Sequence, residues 1–365
     1  MICRSIVRFT FKFRSMLAIL LVCMAGVSRK CMADFGKSGW TIFKKAQTAN
    51  SRGIVSTFGH YGSLSELFYN PALLAPKDHR ESFLFSESGM VGDKLGGVLY
   101  NEPLRHGSLT GGLVGYDAGS IDLNWIENGE LMTQNASAQR DLLCIVAYGY
   151  RLRNDLFVGG SMKAATSQIA ERNSANALAA DVGAAYVSPK GLTLSAALQN
   201  IGTSTKFVEK ENPLPASAYM GAGYAAKISN YHLLTGAGVT YNMIDDRYAP
   251  EVGAELRYQF VSMNVGYRFN AQEQVLTLGL GVCFDNVEVG YAYIPGIYLG
   301  TTHRMNISFK FQTPLEKRTA QANKAHTAAA LASPAKAAFA KITSQGRQPL
   351  VNVGKLQGKQ SRTVN

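Results

Sequence analysis

The chain has 365 residues, 46% of them hydrophobic and only 17% charged, with a net charge of +12. That charge lies at the ends. The first 33 residues hold six Lys/Arg and no acid and the last 54 hold nine and one acid, so the two ends carry +14 and residues 34–311 are left at −2. A near-neutral body gives no support to a nucleic-acid-binding surface, and with only two of five cysteines beyond residue 33 there is neither a disulfide framework nor a cysteine metal site.

The chain opens with Arg4, Arg8, Lys12 and Arg14, followed by the apolar stretch Met16–Gly26, with Cys31 and Ala33 as the two small residues of a cut after Ala33. A basic n-region, an apolar stretch too short to span a bilayer and a small-residue cut site make a secretory signal, so residues 1–33 are expected to be removed on export. Beyond it no stretch approaches the roughly 20 apolar residues of a membrane helix.

Residues 34–80 lack strand character and are expected to form a short helical plug. Ser63 and Glu66 have the spacing of a capping box. The turn they start should stop before Asn70-Pro71, because a residue preceding proline avoids the helical region. A second short turn should run through Pro71 and Ala72 to Pro76.

From residue 81 the pattern changes. Residues 81–311 contain about 14 segments near the 9–11 residues of a tilted membrane strand. Their alternation is clearest from Glu251 on. Val252, Ala254, Leu256 and Tyr258 share one face, and Glu251, Gly253, Glu255 and Arg257 the other. A period of two places the apolar set on one side of a sheet. A soluble sandwich would alternate in the same way; the export signal favours a membrane barrel. Short turns (Arg153-Asn154-Asp155, Pro189-Lys190-Gly191, Asp285-Asn286) alternate with longer polar loops at 118–137 and 202–214, as in an outer-membrane barrel. Tyrosines and phenylalanines cluster near strand ends, as aromatic girdles do. Glu251, Glu255, Arg257, Arg268 and Glu288 fall on the polar face and are expected to form a salt-bridged lumen wall. Cys144 and Cys283 read as small strand residues.

Residues 312–365 are rich in Ala, Lys, Gln, Ser and Thr and are expected to be a disordered basic tail; its charge suits contact with an anionic envelope polymer. The six histidines show no metal-ligand spacing, and no nucleophile or phosphate-loop motif is present, so no catalytic, metal or cofactor site is expected.

Three local patterns resemble one family. Asn70-Pro71-Ala72, in LSELFYNPALLA, is similar to the NPA motif near the N-terminus of FadL-like outer-membrane barrels and of the PorV/PorQ group. ALQNIG, with Asn200 and Gly202, resembles that group's middle region. Thr302-His303-Arg304 and the final strand ending in Phe311 resemble its last hairpin. The resemblance implies an all-β protein: a transmembrane antiparallel barrel of about 14 strands with an N-terminal plug. It would lie in the outer membrane of a Gram-negative-type bacterium, contacting lipid and the barrel-assembly machinery. PorV-like members serve protein secretion and surface assembly, with exported proteins as partners; FadL-like members pass hydrophobic compounds. The first role is the leading expectation here, the second an alternative, and a structural barrel tethered by its tail a third. None is an enzyme. The chain departs from the family in the 54 residues after Phe311.

Overall fold

The computed structural model describes residues 39–46, 63–89, 92–171, 173–204, 206, 212–269, 275–296 and 300–311. The expected signal segment, residues 1–33, and the basic tail, residues 312–365, lie outside them, as does most of 34–62.

Fourteen antiparallel strands close into one barrel, which runs in order through β1 (Arg80–Ser88), β16 (Thr301–Phe311), β15 (Val287–Pro295), β14 (Leu276–Phe284), β13 (Val261–Arg268), β12 (Arg247–Tyr258), β11 (Tyr231–Asn242), β10 (Ser217–Ile228), β9 (Leu192–Ser204), β8 (Asn173–Val187), β7 (Leu156–Ile169), β6 (Gln139–Arg151), β3 (Gly107–Asp117) and β2 (Lys94–Leu104). The seam joins β1 (Arg80–Ser88) to β16 (Thr301–Phe311), with Leu84 opposite Ile307. All 14 sequence segments coincide with barrel strands. The expected polar loop at 118–137 is instead a separate hairpin, β4 (Ser120–Glu127) with β5 (Glu130–Ser137), while β3 (Gly107–Asp117) pairs directly with β6 (Gln139–Arg151). Asn128-Gly129 makes its turn, both residues having positive φ (53° and 82°). That geometry is the strongest short-range hairpin signal.

The alternation is inverted relative to a water-soluble sheet. Leu142, Met162, Leu178, Met263, Leu280 and Met305 are exposed on the outside, while Asn101, Asp181, Glu251, Glu255 and Arg304 are buried inside. In water each large apolar side chain left out would forgo about 1.5–3 kcal/mol of burial. In hydrocarbon that penalty vanishes, and closure leaves no strand edge unpaired. No helix among the described residues is long and apolar enough to cross a membrane.

Aromatic pairs bound this apolar band at both ends. Tyr231 stacks on Tyr258 (4.8 Å) and Phe260 on Phe284 (5.7 Å) at the short-turn end; Tyr241 stacks on Tyr248 (4.5 Å) at the other. Tyr248 to Tyr258 along β12 (Arg247–Tyr258) is about 34 Å of strand, or ~26 Å along the normal at a tilt of about 40°. That matches the apolar height of such barrels.

The turns at Arg105-His106, Ser229-Asn230, Gln259-Phe260 and Asp285-Asn286 lie at the same end as Arg80 and Phe311. The longer connections lie at the opposite end.

Candidate functional site

Among the described residues the lumen gathers the buried polar, charged and aromatic groups, and residues 39–46 and 63–76 lie inside it. Helix α1 (Thr41–Ala46) buries Ile42, Phe43 and Ala46. A 3-10 turn over Leu64–Phe68 follows, closed by the expected capping box of Ser63 and Glu66. A second over Pro71–Leu74 is capped by Asn70, whose Oδ1 accepts from the Ala72 N–H at 2.9 Å.

Asn70 also reaches the wall. Its Nδ2 donates to the carbonyls of Ala184 (3.0 Å) on β8 (Asn173–Val187) and Ala196 (3.2 Å) on β9 (Leu192–Ser204). Pro71 fits at the start of the turn because its missing N–H would be unpaired there anyway. Ala72 packs, fully buried, in a cluster with Phe157 and Ala185. Glycines let the backbones meet: a Cβ on Gly149 or Gly159 would lie 2.5 Å from the N of Ala75 or Ala72. The NPA residues thus cap a turn and seat it on β7 (Leu156–Ile169), β8 and β9.

Asn200 holds a left-handed conformation (φ 56°) at a bulge where β9 slips against β8. Gln199 and Asn200 therefore both face inward. Gln199 donates to the carbonyls of Phe68 (2.7 Å) and Tyr69 (2.6 Å). Asn200 joins a buried network: its N–H donates to Asp181 Oδ1 (2.7 Å), and Lys163 Nζ bonds Asn200 Oδ1 (2.8 Å) and lies 2.7 Å from Asp181 Oδ2. Each member is satisfied, as a buried ion pair requires. The sequence carried a signal for this: two polar residues in succession break the alternation between Leu198 and Ile201.

The lumen has two unlike walls. On the β12, β13 (Val261–Arg268), β15 (Val287–Pro295) and β16 side it is charged. Arg268 pairs with Glu251 (2.9 Å), while Arg257 lies 3.3 Å from Glu255 and 3.8 Å from Glu288. Arg257 and Arg268 keep 28% and 24% of their side chains accessible, so water reaches this wall. Arg304 is buried against Glu87 of β1 at 2.6 Å. Thr302 is also buried inside.

His303 points the other way, to the outer face, where its Nδ1 lies 2.8 Å from the Tyr291 hydroxyl. His303 and Arg304 therefore face opposite sides of the wall, as neighbours in a strand do. Phe311 is exposed on the outside at the short-turn end.

The second wall is apolar. Phe83 and Phe85 of β1, Leu95 and Leu99 of β2 (Lys94–Leu104), Val114 of β3, and Leu143 and Ile145 of β6 form one buried apolar surface. Trp40, Ile42, Phe43, Leu64, Leu67 and Phe68 of the N-terminal segment cover it, with the Phe68 ring edge-on to Phe85 at 6.3 Å. Sequence reading missed this wall because β1 is apolar on both faces around Phe83-Leu84-Phe85. Cys144 and Cys283 are free thiols, and among the described residues no group of His, Cys, Asp or Glu is placed to hold a metal.

No family model matches the chain, and no curated protein does. Among solved structures the barrel is similar to TodX, the toluene transporter of Pseudomonas putida, at 14% identity over 76% of this chain and 97% of that one (TM-score 0.47). It is similar to a Pseudomonas aeruginosa FadL homologue at 10% identity, over 68% and 94% (TM-score 0.43). A third likeness is to the Acinetobacter baumannii outer membrane protein Omp33, at 13% identity over 64% and 98% (TM-score 0.39). These are likenesses of barrel form. What the chain does has to be argued from its own residues.

Proposed function

We propose that this protein is an outer-membrane passage for small apolar molecules in a Gram-negative-type bacterium, gated by its own N-terminal segment. One observation carries the reading. The interior of a membrane barrel is ordinarily polar, yet here an apolar wall from β1 to β6 lines the lumen and is covered from within by Trp40, Ile42, Phe43 and their neighbours. A wall needed only for stability could be polar and water-filled. One built from phenylalanine and leucine supplies the surface an apolar solute needs once the segment moves aside.

The secretion-accessory role implied by the PorV/PorQ resemblance rests on local motifs alone. Each of those motifs has a task within the barrel: Asn70 seats the turn, Asn200 forms the bulge, and Arg304 crosses the seam to Glu87. A tethering role would rest on residues 312–365.

The test is uptake. Cells expressing the chain in their outer membrane should take up N-phenyl-1-naphthylamine, which an intact outer leaflet excludes, several-fold faster than cells without it. The double variant Trp40→Ala, Phe43→Ala should be faster again, with barrel folding checked by heat-modifiable gel mobility. Equal uptake in all three strains would refute the reading.

A further inference from the structure

The N-terminal segment shows what the lumen binds. Lys45 of α1 places its Nζ 2.7 Å from Asp93, 3.6 Å from Glu87 and 5.7 Å above the centre of the Tyr116 ring. Its neighbour Lys44 lies 3.6 Å from Asp245, in the turn after β11 (Tyr231–Asn242). Phe43 on the same short helix and Trp40 just before it lie buried on the apolar wall, their rings 6.2 Å apart. Carboxylates from three separate parts of the barrel thus converge on two ammonium groups, directly beside a surface for aromatic rings.

Acidic residues alone would define no site. Here an occupant is present, and it combines an ammonium group, an aromatic face that attracts it and an apolar body.

From this arrangement we infer that the passage prefers apolar molecules carrying an ammonium group, such as arylalkylamines, over neutral or anionic compounds with the same body. The inference rests on the proposed passage and names its substrate class. When α1 leaves, Asp93 loses the ammonium of Lys45, while Glu87 keeps Arg304 at 2.6 Å. A neutral solute covers the apolar wall and leaves Asp93 buried without its cation. A carboxylate adds a like charge beside Asp93 and Asp245. An arylalkylammonium ion replaces both halves of the occupant, with its ring on the wall and its nitrogen between Asp93 and Tyr116. Discrimination comes from the penalty on the wrong solutes as much as from attraction of the right one.

The chain has two tryptophans, Trp40 in the lumen and Trp125 on the exposed hairpin, so Trp125→Phe leaves Trp40 as the single reporter. In that full-length protein, 2-phenylethylammonium should red-shift Trp40 emission at concentrations at least tenfold lower than phenylacetate or ethylbenzene. Asp93→Asn should remove most of that advantage. Equal responses to the three probes, a preference for phenylacetate, or an advantage that survives Asp93→Asn would each overturn the inference and leave the passage standing if uptake of the naphthylamine is positive. Silence toward all three probes with positive uptake removes this site from the path. Silence with negative uptake removes the passage as well.

Discussion

His79 sits where the N-terminal segment hands over to β1, outside the strands. Its Nε2 lies 3.4 Å from the Glu81 carboxylate and its Nδ1 3.0 Å from Asp78. The Glu81 carboxylate, helped by Asp78, raises the imidazole above its ordinary value against the opposing effect of partial burial. The same contact with His79 holds Asp78 below the usual carboxylate range. A raised histidine favours the fold in its protonated form. Its contribution is complete below about pH 6.5 and is lost as pH rises through the folded value above that. The urea midpoint of the wild type should therefore exceed that of His79→Gln at pH 5.5, and the gap should close by pH 9. A gap that is the same at both pH values would show that the proton plays no part.

The strands, taken as elements, divide into those the barrel needs and the pair it does not. β4 and β5 pair only with each other, and β3 joins β6 across their base with Leu113 opposite Cys144. Replacing residues 120–137 by a short Asn-Gly link should leave heat-modifiable mobility and the unfolding midpoint within about 0.5 kcal/mol of the intact chain; loss of the folded band would show that the hairpin supports closure. The barrel strands were legible because lipid on one side and lumen on the other impose a strict period of two, seen plainly at Val261–Arg268. The hairpin was missed: the polar composition of 118–137 suggested a loop, although Asn128-Gly129 carried a turn signal. What sequence could not show is the lumen. Asn70 finds its partners at Ala184 and Ala196, more than 100 residues away, and no local pattern announces such a contact. The charges of β12 and β13 stood out because they break an apolar strand; the apolar wall did not, since phenylalanine suits either face.

At the scale of the whole molecule, the outer surface decides which solvent the fold belongs to. Leu280 lies mid-strand in β14 (Leu276–Phe284), half exposed, opposite Met263 and Tyr291. On a sheet facing water, Leu280→Arg would change stability by about 0.5 kcal/mol or less. At the centre of a lipid-facing barrel it should cost about 2–4 kcal/mol. Unfolding titrations of the two proteins in lipid vesicles distinguish these outcomes, and a near-zero difference would place the outer face in water.

The pairing of Arg80–Ser88 with Thr301–Phe311 also bears on how the protein is made. These segments lie more than 200 residues apart, so the ring cannot shut until its final strand has emerged, and the entropy of joining such distant partners is met late. The turn at Asn70 takes its partners from β8 and β9, which precede the final strand by about 100 residues or more. The inner turn can thus dock on strands made early, while the cylinder that encloses it is completed by the last strand to be made.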